Sequence, residues 1–426
     1  MLHDTPLRNQ HQQYLARSVA ETRRAARVSQ ADRPGAADGQ ITETEVEYIA
    51  YGAGEPDAEQ WAVLAAVGSI ESEYAAIRRG AGLMDCPQRG TLLVTGPDRR
   101  EFLNRMLTQE LKGIEPGQAV ESFWLNRTGR IDADLVVLDG ESSTLLAVDR
   151  HQASSAETSL NAFIIMEDVT LTDVSDAWYH LAIHGPLALQ VLACAAGDDE
   201  VHIGPMAGGA INVAGVECNV IHRDQCGVIG LDLLVPRDQV EIVWSALVLS
   251  DATVGENKRR IRPVGWYAYN IARIEAGTPL FNVDFGTSSL PHETGIVERR
   301  VSFTKGCYLG QEVVARMHSR GKSKQVLVAV RMENDEALPV AGSQVYKDDD
   351  DTLATPIGVV TSSTISPMLG AVSIGFVMVR SAHAKPGTAL RINIEGESQR
   401  AIVQEGLDFL SHNPNLNPNP AGGTTS

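Results

Sequence analysis

Apolar positions along the chain follow several rhythms, and each predicts a different element. Val63, Val67, Ile70, Tyr74 and Ile77 step by four and three, which lines one helix face closed by Gly80. "TLLVTG" reads as a strand, and "DRREFLNRML" as a helix turning Phe102, Leu103, Met106 and Leu107 inward. "IDADLVVL" and "STLLAVD" flank the turn "DGES" and predict a hairpin, while "PLALQVLACAAG" and "VEIVWSALV" predict two further helices. Hairpins mixed with helices indicate an α+β body, not a parallel βαβ sheet. After "RGKSKQ" only strands follow: "VLVAVRM", "IGVVTSST", "VSIGFVMV", "LRINIE" and "RAIVQEG". Turn residues separate them, which predicts a small antiparallel β-barrel or sandwich.

Both ends read differently. "ADRPGAADGQ" and "GAGEP" are rich in breakers, so residues 1–60 are expected to be a poorly ordered extension, with order starting near Trp61. "LARSVAETRRAARV" predicts an Arg-rich helix, loosely like a mitochondrial presequence but interrupted in charge by Asp4 and Glu21. The tail "NPNLNPNPAGGTTS" has a disordered composition. The expected division is therefore extension 1–60, a two-lobed body 61–325, a barrel 326–408 and a tail 409–426.

Composition narrows the classes of function. The 426 residues carry a formal charge of -18, which disfavours DNA and anionic lipid as partners. An aromatic share of 5% argues against a stacking platform for single strands. No apolar run reaches the roughly 18–20 residues of a membrane span. The five cysteines are scattered and include no CxxC pair, so no zinc site or disulfide framework is expected. A reducing compartment follows, the cytoplasm, with the mitochondrial matrix as the alternative. "KDDDD" at 347–351 lacks the spacing of a calcium loop and reads as a solvated tip, and no metal ligand is assigned.

Three stretches carry candidate chemistry. In "LNRTGRIDADLVVL", Asn126, Thr128 and Gly129 form a turn and a strand follows. Alternation on that strand puts Asp132 and Asp134 on one face. If shielded, the pair raises at least one carboxyl pKa and suits proton exchange with a nitrogen; if exposed, it is an ordinary strand edge. Second, seven Lys and Arg residues lie between Glu298 and Lys324, including Lys305 and Arg316, and offer a site for an anion. Cys307 lies among them, either a thiol activated by Lys305 or a small buried hydrophobe. Third, "NIARIEAGTPLF" places Arg273 and Glu275 at a helix end before a long loop.

These motifs together resemble the aminomethyltransferase superfamily, which includes the glycine cleavage T-protein (GcvT), folate-dependent demethylases and the YgfZ branch. The resemblance spans roughly residues 61–405. "GLMDCPQRGTLLVTGPDRREFLNRMLT", Asn126 through Leu135, Arg273–Leu280 and "GVVTSSTISPML" are similar to the family's motifs in order. "KGCYLGQEVVAR" resembles the YgfZ signature K-G-C-Y-x-G-Q-E, where T-proteins carry K-G-x-F-I-G-R-E.

The resemblance implies a tetrahydrofolate-binding fold with a C-terminal barrel. It implies Asp134 and Cys307 as catalytic candidates, Asp134 facing the pterin and Cys307 at the mouth of a central channel. Glu121, Asn126, Arg273, Lys305, Tyr308, Gln311 and Arg316 complete the expected folate-binding set with Asp134. Departures from the T-protein pattern are Val228 in place of a pterin-binding glutamate, Glu121 in place of a tyrosine and Tyr269 in place of an arginine. The function expected from these features is a YgfZ-like protein supporting iron–sulfur cluster assembly or repair, with iron–sulfur clients as partners. The alternatives are a T-protein-type aminomethyl or methyl transferase and a non-catalytic scaffold.

Overall fold

The structure, a computed structural model, describes residues 1–32, 45–52, 59–249, 251–254, 257–321, 323–334, 338–350 and 352–410. Most of the breaker-rich stretches near residues 33–56, Lys322, Asp351 and the tail from 411 onward lie outside these residues.

Two antiparallel-rich sheets form the body. The first has five strands in the order Ala119–Leu125, Ile131–Asp139, Ser143–Asp149, Arg89–Thr95, Thr170–Asp173. The second has six, in the order Gly208–Val213, Val216–His222, Gly230–Pro236, Trp178–His184, Gly82–Asp85, Arg262–Pro263. Helices Arg99–Met106 and Arg150–Asn161 bury Phe102, Leu103, Ala153 and Leu160 with the first sheet. Helices Ala188–Ala196 and Val240–Leu249 bury Val191, Leu192, Trp244 and Leu247 with the second. The hairpin predicted across "DGES" forms as Ile131–Asp139 and Ser143–Asp149.

Gln325–Met332, Val372–Arg380, Gly358–Ser366, Gln344–Lys347, Ala389–Ile394 and Glu397–Val403 close into a six-stranded barrel, every pair antiparallel. The α+β body with an antiparallel barrel is therefore the architecture that the apolar pattern predicts. Barrel and body share one core, in which Phe123, Phe281, Phe285 and Ile274 meet Leu327, Phe376 and Phe409. Each such side chain contributes about 1.5–3 kcal/mol when fully buried. Two buried charges lock this junction. Arg273 donates from Nε to Asn270 Oδ1 (2.9 Å) and pairs with Asp284, whose other oxygen accepts from Thr361 (2.8 Å) and Ser362 (2.5 Å) of the barrel. Glu275 accepts from Tyr74 (2.5 Å) and from barrel residue Ser366, and pairs with Arg78.

The beginning of the chain differs from the sequence expectation in two ways. Residues 60–67 form a strand, and the helix starts only at Ile70, with Ser69 accepting from the Ser72 amide (3.3 Å) and Gly80 closing it. The run "WAVLAAV" is buried on both faces, so its apolar spacing did not distinguish strand from helix. The first residues are also packed rather than loose. Leu2–His3 pairs in parallel with Gln60–Trp61, and Leu7 and His11 are fully buried. Thr5 Oγ1 donates to the buried Asp85 (2.5 Å), whose other oxygen accepts from Tyr179 (2.6 Å). A poorly ordered 1–60 is thus corrected for the described part: a buried carboxylate needs partners, and Thr5 supplies one.

Candidate functional site

A cavity opens between the two sheets and helix Trp266–Glu275, lined by Asp134, Asp149, His180, His184, Arg223, Asp232 and Arg300 among others. Among the described residues, none of the barrel lines it. Tyr51, Trp266, Tyr269 and Phe281 supply aromatic walls.

Asp134 points toward this cavity from strand Ile131–Asp139, where the buried Ile131, Ala133 and Leu135 occupy the opposite face. Its carboxylate receives two hydrogen bonds from one guanidinium, Arg300 Nε to Oδ1 at 2.7 Å and Nη2 to Oδ2 at 3.3 Å. Arg300 also pairs with Glu121, which takes a further bond from Arg299 (3.0 Å) and lies 3.6 Å from Arg223. Arg223 donates to Asp232 (2.8 Å), Asp232 accepts from Gln225 (3.3 Å), and Gln225 accepts from Tyr269 (2.8 Å). One polar chain therefore runs from Asp134 to Tyr269 across the cavity wall. Forked guanidinium–carboxylate bonds fix both partners in direction as well as distance.

The network sets the ionisation of its members. Burial alone raises the Glu121 carboxyl, but Arg300, Arg223 and Arg299 outweigh it and hold it down at about 2. Burial disfavours the charge on Arg223, and Asp232 and Glu121 more than compensate, raising it. Burial pushes the imidazoles of His180 and His184 down to about 3 and about 4, so both are neutral near neutral pH. Burial pushes the Cys86 thiol well up.

Of the residues assigned from sequence, Asp134 and Glu121 meet in this network. Asp132 shares the Asp134 face, as the alternation predicts, but accepts from Asn126 Nδ2 (2.9 Å), and burial raises its carboxyl. Asn126 Oδ1 organises its own turn, accepting from the Thr128 amide (3.0 Å) and hydroxyl (2.7 Å) and the Arg130 amide (3.2 Å). Arg273 is the body–barrel clamp described above. None of Asn126, Arg273, Lys305, Cys307, Tyr308, Gln311 or Arg316 lines the cavity.

The stretch 304–316 has a structural task. Lys305 Nζ donates to the carbonyls of Asn104 (2.7 Å), Leu107 (2.8 Å) and Gln109 (2.8 Å), and burial lowers its pKa to about 8. Its donors are thus already occupied. Tyr308 is buried in the shared core, and its phenol is pushed up to about 12 by burial. Gly310, at φ +79°, packs on the Asn126 turn so closely that a Cβ would meet the Asn126 carbonyl at 2.9 Å. Gly129 is pressed likewise, its would-be Cβ 2.7 Å from that of Val313. Helix Gln311–Arg320 is thereby seated against the turn that launches the Asp134 strand, with Gln311 at its first position and Arg316 exposed. Cys307 is exposed.

Sequence reasoning missed Arg223, Asp232, Gln225 and Arg300 as site residues. Arg300 stood in the basic run, but nothing local tied it to a carboxylate 166 positions away. Among the described residues no helix is long and apolar enough to cross a membrane.

Comparison with known proteins agrees with this architecture. Residues 48–305 match the GCVT N-terminal domain, and residues 325–406 match the glycine cleavage T-protein C-terminal barrel domain. An aminomethyltransferase of Caldanaerobacter subterraneus subsp. tengcongensis is 29% identical over 361 residues, covering 84% of this chain and 92% of that protein. One of Streptomyces coelicolor is 30% identical over 365 residues, covering 84% and 94%. The crystal structure of glycine cleavage system aminomethyltransferase T from Bartonella henselae shares the fold, with TM-score 0.72 and 21% identity over 84% of this chain and 93% of that one. That these relatives are aminomethyltransferases overturns the expectation of a YgfZ-like iron–sulfur protein, and no iron–sulfur partner is supported. The cysteine that suggested it lies outside the cavity, in a turn whose neighbours serve packing. Matched in order by both domains over most of its length, the chain belongs to the glycine cleavage T-protein (GCVT) family.

Proposed function

We propose that this protein is a tetrahydrofolate-dependent aminomethyltransferase of the glycine cleavage T-protein type. The observation that carries this reading is Asp134, held by Arg300 at the wall of an aromatic-lined cavity. The cavity's polar atoms fit a flat, heteroatom-rich ring. Both ring nitrogens of His184 are buried there without partners. Each buried group left unpaired costs about 1–3 kcal/mol, so a ligand that pairs them binds with that advantage. Tetrahydrofolate supplies ring nitrogens that accept a one-carbon unit.

Asp134 has lone pairs beyond those taken by Arg300 and accepts an N–H or its proton. Arg300 fixes the carboxylate rotamer, with Glu121 and Arg223 holding Arg300 and its neighbours in place. Tyr51, Trp266 and Tyr269 line the cavity with aromatic rings against which a flat ligand can pack. Five free cysteines support a reducing compartment, and we place the protein in the cytoplasm. Residues 61–325 as body and 326–408 as barrel are the domain limits in this reading.

The test is a titration with tetrahydrofolate followed by tryptophan fluorescence, since Trp266 lines the cavity. Saturable binding that survives in Asp134→Asn while turnover is lost supports the proposal. Absence of saturable binding at high micromolar ligand refutes it.

A further inference from the structure

The cations of the cavity wall differ in one respect. Arg300 and Arg223 are each matched by carboxylates. Arg89 also lines the cavity, and among the described residues its guanidinium makes no ion pair and no hydrogen bond. The carboxylate opposite it in the sheet, Asp149, is already engaged: Tyr51 donates to one oxygen (2.5 Å), and the His151 amide and ring to the other (3.0 and 3.2 Å). The nearby His180 bonds to Thr91 (2.8 Å) and is neutral near neutral pH, so it supplies no counter-charge.

The preceding residue adds a second, independent sign. Gln88 is only 7% exposed and lines the same cavity, and its Oε1 is buried with no donor. An unmatched fork of N–H donors and an unmatched acceptor thus line the same cavity. The ligand chemistry that answers both is a carboxylate with an N–H on the adjoining carbon. The carboxylate binds the guanidinium through two parallel bonds, and the N–H donates to the amide oxygen.

We propose that Arg89 and Gln88 form an anchoring subsite for an α-amino or α-amido carboxylate. The proposal rests on the folate reading above for the place of this subsite in the reaction. Two sources share the chemistry, a free amino acid bound as second substrate and the glutamyl tail of the folate itself.

The experiment is calorimetric titration of the full chain with two ligand pairs. One pair is tetrahydrofolate and a tetrahydropterin lacking the glutamyl tail; the other is glycine and glycinamide, at millimolar concentration. In the wild type, the carboxylate-bearing member of at least one pair binds about tenfold or more tighter than its partner, the size of one lost charge-assisted pair. Arg89→Gln abolishes that preference and leaves the member without the carboxylate unchanged. Arg89→Lys, which keeps the charge and loses the fork, gives an intermediate preference. A preference confined to the folate pair assigns the anchor to the glutamyl tail, and one confined to the glycine pair assigns it to an amino acid. No preference in either pair, or a preference that Arg89→Gln leaves intact, overturns the proposal. The wild-type comparison needs no substitution and so stands even if a variant misfolds. If neither pterin ligand binds, the folate reading fails, while glycine against glycinamide still tests Arg89.

Discussion

The guanidinium of Arg300 grips the carboxylate of Asp134 at 2.7 and 3.3 Å across 166 residues of chain. The same side chain also pairs with the buried Glu121, so a buried and a half-buried carboxylate share this cation. Arg300→Met leaves both without it, and breaking such a buried pair costs about 3–5 kcal/mol. Urea denaturation is expected to show a midpoint lowered accordingly. Arg300→Lys is expected to recover only part of this loss, because a single ammonium cannot reproduce the fork.

Cys307 is expected to be dispensable. Its exposed thiol is outside the cavity, so Cys307→Ala leaves tetrahydrofolate affinity and turnover as in the wild type. A loss of folate binding in steady fluorescence titrations would contradict the placement of the site.

Gly310→Ala behaves in the opposite way. The residue is left-handed, and its Cβ would press on the Asn126 carbonyl, so the substitution costs about 1–3 kcal/mol. Differential scanning calorimetry reads this as a lowered Tm, with Gly129→Ala affected likewise through Val313.

Lys305→Met removes the donor shared by the carbonyls of Asn104, Leu107 and Gln109. Leaving a buried acceptor unsatisfied costs about 1–3 kcal/mol. The expected result is a less stable protein whose tetrahydrofolate affinity is unchanged. A selective loss of affinity without loss of stability would restore Lys305 to an anion-binding role.

Stability should fall in acid beginning well above the carboxylate range. Burial holds His11, His180 and His184 at about 3, 3 and 4 in the folded state, against 6.5 for a free imidazole. The unfolded chain therefore takes up protons first, so stability is present above pH 6.5 and declines as pH falls toward 4. Glu121, held at about 2, adds a loss as pH falls from 4.5 through 2. Asp85, pushed up to about 6 by burial, has the opposite sign and offsets one of the three histidines between pH 6 and 4. Thermal melts from pH 8 to 4 are expected to show Tm dropping from about pH 6.5 downward. A Tm that stays level between pH 7 and 4.5 would contradict the buried, neutral histidines.

Much of the fold was legible because its signals are local. Alternation in "IDADLVVL", the turn "DGES" and the strand-only rhythm after residue 325 each depend on neighbours within a few positions, and each element formed as predicted. The strand Gln60–Val67 was misread because a continuously apolar run carries no period. The described N-terminal segment was misjudged because its anchors, Thr5, Leu7 and His11, are single residues rather than a pattern.

The site divides the same way. The face that carries Asp134 was legible from sequence, since strand alternation named it. Lys305, Tyr308 and Gly310 stood out too, but their composition did not show whether their groups meet a ligand or the protein itself. Once folded, the lysine's donors and the glycine's missing side chain are both taken up by neighbouring backbone.

By itself, the sequence determined the α+β body, the C-terminal barrel and the face that carries Asp134. All three follow from side-chain periodicity, which acts over a few residues. Only the tertiary structure decided that Arg300, Glu121, Arg223 and Asp232 complete one charged network, and that Arg89 is left outside it. Charge pairing in a buried cavity depends on distances between strands far apart in the chain, and no local pattern encodes those distances.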